Sequence, residues 1–67
     1  MDPNESDSYY NRALSKYDIE DFYGAISDNT KAIKIDPEYA DAYYNRALAK
    51  EGIEDYSGAI SDYTKTI

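Results

Sequence analysis

The sequence predicts an all-α fold in which two tandem helix–turn–helix repeats stack as a short solenoid. Residues 7–33 and 41–67 agree at 19 of 27 positions, and equivalent positions in the two copies are 34 residues apart. Within each copy, apolar residues recur at helical spacing, and turn residues separate the two helical segments. A fixed period of about 20–50 residues is typical of solenoids, in which each unit buries its apolar face against the next unit.

The first helix of each copy is predicted over residues 6–18 and 40–52. Apolar and aromatic side chains recur there with the spacing of one face of an α-helix. These side chains are Tyr9, Tyr10, Ala13, Leu14 and Tyr17 in the first copy, and Ala40, Tyr43, Tyr44, Ala47 and Leu48 in the second.

The second helix of each copy is predicted over residues 22–33 and 56–67, again from one apolar face. That face consists of Phe22, Ala25, Ile26, Ala32 and Ile33 in the first copy, and of Tyr56, Ala59, Ile60, Tyr63 and Ile67 in the second. Asn29 interrupts the face where the second copy has Tyr63. We therefore expect the second helix of the first copy to be looser.

Turn residues separate the two helices of each copy at 18–21 and 52–55. Asp21 and Asp55 are predicted N-caps of the helices that follow, because a short side-chain oxygen can accept a hydrogen bond from an otherwise unpaired backbone amide.

Proline and glycine mark two further features. Pro37 disfavours helical backbone in the residue before it, so the second helix of the first copy is expected to end at Ile35. Gly24 and Gly58 lie inside predicted helices, where glycine costs about 1 kcal/mol relative to alanine. Either close packing against a neighbouring helix or an exposed neutral position would explain them.

A chain of 67 residues predicts one small domain over 1–67, with a first repeat at about 6–39 and a second at about 40–67. The sequence contains no cysteine or histidine, which excludes a disulfide and a Cys/His zinc site. It also lacks an apolar run of about 18 residues and a basic start followed by an apolar segment. We therefore expect a soluble, cytoplasmic protein.

The charge is strongly acidic: fourteen Asp and Glu residues stand against seven Lys and Arg residues, a formal net charge of −7. Nucleic-acid binding uses clustered basic residues, so this composition excludes nucleic acid as a partner. Long-range attraction favours a basic or neutral protein partner. Alternatively, the carboxylates serve only to keep the domain dispersed in solution.

No catalytic or cofactor-binding pattern is present. The sequence has no His or Cys, no Gly-rich phosphate loop and no calcium-loop pattern. The neighbouring carboxylates Glu20-Asp21 and Glu54-Asp55 are explained as turn and cap residues. We expect a protein that is not an enzyme and that binds neither a cofactor nor a metal.

The period and residue pattern together resemble the tetratricopeptide repeat family. The matching residues are Tyr43 at its first aromatic position, Ala47 at its small residue, Tyr56, Ala59 and Tyr63 in its second helix, and Pro37 at its terminal proline. The chain departs from the family at Glu20 and Glu54, where glycine is usual in the turn, and at Thr66, where alanine is usual.

This resemblance implies a right-handed superhelix whose first helices line a concave groove that holds a peptide or a partner helix. By the family pattern the groove would be lined by Asp7, Tyr10, Leu14, Tyr17, Asp41, Tyr44, Leu48 and Glu51. Tyrosine offers apolar area and a hydroxyl, and carboxylates would select positive charge, so basic or apolar peptides are the expected ligands. Alternatively, Tyr10 and Tyr44 only pack between helices.

Some members of the family clamp a terminal carboxylate with Lys, Asn and Arg, and this chain matches only the asparagine, at Asn11 and Asn45. We therefore expect no carboxylate clamp and interpret both asparagines as hydrogen-bonding to neighbouring backbone. Arg12 and Arg46 are expected to lay their stems over tyrosine rings while their guanidinium groups meet carboxylates.

Self-association is the alternative function, as a structural module without a specific peptide ligand. Met1-Asp2-Pro3 resembles Ile35-Asp36-Pro37, which suggests a segment taken from a longer array or a chain that completes its core by association. The expected form is a homo-oligomer, either a dimer or a head-to-tail stack. The predicted contact residues are Tyr9, Ala13, Tyr56, Ile60, Tyr63 and Ile67.

Overall fold

The computed structural model describes residues 5–67 and consists of four helices, α1 (Glu5–Asp18), α2 (Phe22–Ile35), α3 (Ala40–Gly52) and α4 (Tyr56–Thr64). Each helix packs against the next one in the chain, and α1 also touches α3. This arrangement confirms the all-α fold of tandem helical repeats. The predicted loop at residues 1–3 lies outside the described residues.

Aspartate N-caps begin the second helix of each repeat, as the sequence predicts. The Asp21 side chain accepts a hydrogen bond from the Gly24 amide at 3.1 Å, and Asp55 accepts one from the Gly58 amide at 3.1 Å. Such a cap is worth about 1 kcal/mol. The helix end at Ile35 is also confirmed, whereas α4 ends at Thr64 rather than continuing to residue 67.

Close packing explains the two helical glycines. A β-carbon on Gly24 would collide with the Asp21 carboxylate and would lie 2.8 Å from Cδ of Lys16. Gly58 has the same surroundings in the second repeat. Glycine therefore leaves room both for the cap and for a lysine from the preceding helix.

The turns inside the two repeats contain strained backbone. Glu20 and Glu54 have φ angles of 64° and 63°, in the left-handed region. A residue with a β-carbon pays about 1–2 kcal/mol there, which glycine would avoid. The departure from the family's glycine thus leaves the turn intact at a cost in stability.

The core is built from small residues. Ala13, Ala25 and Ala49 are fully buried together, with the larger side chains of Tyr17 and Phe22 packed against them. Small side chains allow the helices to approach closely, and the rings cover the outside. Ala13 thus has no exposed surface, and its predicted place on an open end of the solenoid is wrong.

A buried carboxylate ties together the two helices of the second repeat. Asp62 on α4 is 2% exposed and accepts two hydrogen bonds from Arg46 at 2.8 Å each. Lys50 Nζ lies 3.0 Å from Asp62 Oδ2. Burial raises the pKa of Asp62, but the bonds from Arg46 and Lys50 outweigh it and hold the pKa below its usual range.

Asp28 holds the same position in the first repeat. It is 1% exposed, accepts two hydrogen bonds from Arg12 at 2.8 Å each, and lies 3.0 Å from Lys16 Nζ. The Arg12 hydrogen bond, opposed by burial and assisted by Lys16, lowers the pKa of Asp28. Arg12 also lies over the Tyr9 ring at 5.6 Å, which confirms the predicted stacking.

A pair of buried asparagines joins the two repeats. Asn29 Nδ2 on α2 donates to Asn45 Oδ1 on α3 at 2.7 Å, with 0% and 3% of the two residues exposed. The backbone partner predicted for Asn45 is therefore wrong, because its partner is a side chain of the other repeat. The expected loosening at Asn29 is not observed either, since α2 continues through it. Asn11, the equivalent of Asn45, is exposed.

Candidate functional site

Tyr10 of α1 forms one half of a tyrosine pair with Tyr39, which directly precedes α3. The two ring centroids are 5.1 Å apart, and the Tyr39 hydroxyl donates to Asp7 Oδ1 at 2.6 Å. Asp41 is close enough for its charge to act on both rings. We call Asp7, Tyr10, Tyr39 and Asp41 the first tyrosine unit.

The carboxylates of this unit affect the tyrosine hydroxyls. Burial raises the pKa of Tyr39, and the hydrogen bond to Asp7 raises it further, together with the charges of Asp7 and Asp41. Burial and the charge of Asp41 raise the pKa of Tyr10. Both hydroxyls therefore keep their protons well into the alkaline range.

A second pair of similar construction lies on the next repeat. The rings of Tyr44 and Tyr63 are 5.6 Å apart and meet edge to face, and the Tyr63 hydroxyl donates to Glu51 Oε2 at 2.9 Å. Burial, the Glu51 hydrogen bond and nearby charge raise the pKa of Tyr63 to about 12, with Tyr17 among its neighbours. We call Tyr17, Tyr44, Glu51 and Tyr63 the second tyrosine unit.

The two tyrosine units contain most of the predicted groove residues. The remaining two predicted groove residues, Leu14 and Leu48, are half-buried on α1 and α3. Tyr44 is 51% exposed, so the alternative in which it only packs between helices does not describe it. Binding of a peptide by this surface stays a prediction.

Sequence reasoning missed Tyr39 altogether and assigned Tyr63 to another surface. Tyr39 contacts Asp7 across 32 residues of chain, and no local spacing rule connects two such positions. Tyr63 lies in the predicted apolar face of α4, but its hydroxyl finds a partner on α3. The signal that was available is that tyrosine, unlike leucine, carries a hydroxyl that usually finds a partner when it is partly buried.

The residues predicted for self-association differ in how far they are exposed. Tyr56, Ile60 and Ile67 are 57%, 66% and 104% exposed. Tyr63 is half-buried in the second tyrosine unit, and Tyr9 is half-buried with Arg12 and Lys31 each 5.6 Å from its ring. Only the α4 part of that prediction therefore corresponds to an exposed apolar surface.

Residues 5–67 contain neither a membrane-spanning helix nor a cluster of metal ligands. In this part of the chain no helix has both the length and the apolar character needed to cross a membrane. No group of three or more carboxylates in the same range is arranged to hold a metal ion.

Residues 29–61 match the family model of the tetratricopeptide repeat. The matched segment runs from the middle of α2 through α3 into α4. No curated protein matches the chain. This match across the junction of two consecutive helix pairs supports a tetratricopeptide repeat, and the four helices are consistent with two such repeats.

Proposed function

We propose that the chain is an interaction scaffold that binds a peptide or partner segment along the surface formed by its two tyrosine units. Tetratricopeptide repeats are in general protein-interaction scaffolds and are typically not enzymes. The observation that supports this site is the occurrence, once in each repeat, of paired tyrosine rings beside carboxylates. Leu14 and Leu48 add apolar area to the same surface.

The chemistry of this surface favours a basic or apolar ligand. Asp7, Asp41 and Glu51 are exposed, and the protein carries a net charge of −7. Tyrosine rings offer apolar area to a ligand and π faces to a cation. Two repeats give a short surface, and a standard interface buries roughly 800 Å² per partner, so the affinity should be modest.

Titration of capped peptides that are matched except for one lysine, serine or glutamate tests the proposal. We expect the lysine peptide to bind most tightly and to lose affinity as the salt concentration rises, because exposed charges are screened. Equal affinity for the lysine and glutamate peptides would rule out the proposed preference.

A pair of tyrosine variants locates the binding surface. Tyr44→Ala removes a ring that is 51% exposed in the second tyrosine unit, and Tyr23→Ala removes one that is 73% exposed on α2. Only Tyr44→Ala should weaken peptide binding. An equal loss in both variants would place the site elsewhere or show that it is non-specific.

Self-association through α4 is the second candidate function. Ile60 and Ile67 are 66% and 104% exposed, whereas their equivalents on α2, Ile26 and Ile33, are partly covered by neighbouring helices. A surface that is covered in one repeat and exposed in the other could take a second copy of the chain.

Light scattering across a range of concentrations measures this candidate directly. We expect the apparent mass to rise with concentration and Ile60→Lys to reduce that rise. Ile19→Lys, at a 76% exposed isoleucine in the turn after α1, is the matched control and should have no effect. A wild-type chain that stays monomeric at high concentration would eliminate the candidate.

A further inference from the structure

We infer that the two tyrosine units are subsites of different chemistry: the first takes the cationic group of an arginine or lysine side chain, and the second takes an apolar side chain. This inference rests on the proposed peptide-binding function. It adds a direction to the ligand, because its basic residue lies over the starts of α1 and α3 and its apolar residue lies toward α4.

Within residues 5–67, the charges of the first unit have no basic partner. Among residues 5–67, the ion pairs join Arg12 and Lys16 to Asp28, and Arg46 and Lys50 to Asp62. Lys31 and Lys65 lie over the rings of Tyr9 and Tyr43 instead. Asp7 and Asp41 therefore present negative charge that a ligand can neutralise.

The hydrogen-bonding capacity of the first unit also suits a donor-rich group. Tyr39 uses its hydroxyl proton on Asp7 Oδ1, so its oxygen and Asp7 Oδ2 remain as acceptors. Asp41 adds two more acceptor oxygens. A guanidinium group carries five N–H donors, and an ammonium group carries three, so both match an acceptor-rich site.

The rings of the first unit supply a further attraction. Tyr10 and Tyr39 are only 5.1 Å apart and are tilted by 44°, so they present adjoining faces to a ligand. A cation over a tyrosine face is attracted by the ring, and a planar guanidinium also stacks on it.

The second unit has fewer carboxylates for its aromatic rings than the first. It contains the paired rings of Tyr44 and Tyr63 and a single carboxylate, Glu51, one oxygen of which already accepts the Tyr63 hydroxyl. Tyr17 lies near enough to act on Tyr63 electrostatically, although its own ring packs against Phe22. Half-buried Leu48 lies on the same helix as Tyr44. With more apolar area and less charge, this unit favours an aliphatic or aromatic side chain.

Neutral isosteres of both protein and peptide test the assignment. The probes are capped hexapeptides of leucine and serine with one arginine at each position in turn, together with their citrulline twins, which lack the charge. The proteins are the wild type, Asp41→Asn, Glu51→Gln and, as the control, Glu54→Gln in the exposed turn between α3 and α4. Asp41 is chosen because its replacement leaves the Tyr39–Asp7 hydrogen bond in place.

We expect Asp41→Asn to weaken the arginine peptides about two- to fivefold and to leave the citrulline peptides nearly unchanged. Glu51→Gln and Glu54→Gln should change the affinity for the arginine peptides little more than the affinity for their citrulline twins. Circular dichroism verifies that each variant remains folded.

The outcomes separate the inference from the function on which it rests. The division into subsites would be overturned, and the scaffold would stand, if peptides bind but Asp41→Asn and Glu51→Gln weaken the arginine peptides equally. The same conclusion follows if neither variant weakens them. If no peptide of the series binds to the wild-type protein, the proposed function fails and the inference fails with it.

Discussion

Replacing Asp62 with asparagine should destabilise the protein more than the same replacement at Asp28. The two carboxylates are almost equally buried and hold equivalent positions, so they form an internally matched pair. Their partners differ, however. The arginine and lysine side chains bound to Asp62 are 16% and 19% exposed, whereas those bound to Asp28 are 56% and 32% exposed. When the carboxylate is lost, the exposed cations can regain water and the covered ones cannot.

The expected cost at Asp62 can be estimated from its contacts. Removing one partner of a buried ion pair costs about 3–5 kcal/mol. Asparagine keeps one acceptor oxygen, and Arg46 retains its bond to the Thr30 hydroxyl at 3.1 Å, so the lower value of about 3 kcal/mol applies. At roughly 0.05–0.15 kcal/mol per residue, a chain of 67 residues has a total stability of about 3–10 kcal/mol. Asp62→Asn should therefore remove a third or more of it.

Urea unfolding followed by far-ultraviolet circular dichroism measures the difference. Both variants should have lower midpoints than the wild type, and Asp62→Asn should have the lowest. If that variant is unfolded in buffer, a stabilising osmolyte such as trimethylamine oxide restores a measurable transition for all three proteins. Equal midpoints, or a larger loss at Asp28, would refute the view that the exposure of the cations sets the cost.

Four further predictions follow from the same structure. Glu54→Gly should stabilise the protein by about 1 kcal/mol by relieving left-handed backbone, whereas Glu54→Ala, which keeps a β-carbon, should not; urea midpoints compare them. Gly52→Asp should lower the free energy of unfolding by about 1–3 kcal/mol, because its β-carbon would lie 2.7 Å from the phenylalanine ring at the start of α2. Thermal melts should show no such loss for Asp18→Gly at the equivalent position in the first repeat. Asn29→Ala should cost about 1–3 kcal/mol by leaving the buried Asn45 without its donor, and the double alanine variant should cost less than the sum of the two single ones. Because the pKa values of the two buried carboxylates lie below their usual range, their contribution to stability is present above about pH 4 and is lost as the pH falls through the folded pKa values. Urea midpoints that do not fall as the pH is lowered below about 4 would contradict this.

The helices and most of their ends, though not the end of α4, could be predicted because they depend on local rules. The N-cap bonds of Asp21 and Asp55 involve residues three positions apart, and the stop before Pro37 involves adjacent residues. The stacking of Arg12 on Tyr9 is similarly local, because the two residues lie on one face of one helix. Such features need no knowledge of how the helices pack.

Packing across the two repeats decides the features that could not be predicted. Tyr39 could be paired with Asp7 only once α1 and the start of α3 were known to be adjacent. The partner of Asn45 likewise depends on the α2–α3 contact. The hydroxyl of Tyr63 on α4 bonds to Glu51 on α3, so this pairing depends on the α3–α4 contact. The groove residues predicted on the first helices come from the family pattern, which includes neither Tyr39 nor Tyr63.

Two of the positions at which the two copies differ follow the burial of the residue. On α3, Ala42 and Ala49 are fully buried, whereas at the equivalent places on α1 the chain has Ser8 and Ser15, which are exposed. The alanines permit the close contact between repeats, and serine at an exposed site avoids presenting an apolar patch to water. A second copy stacked head to tail would bring those serines to the place where the alanines pack, beside the exposed Ile60 of α4. Such a contact would fit less well than the internal junction, so any self-association through α4 should be weaker than the contact that holds the two repeats together.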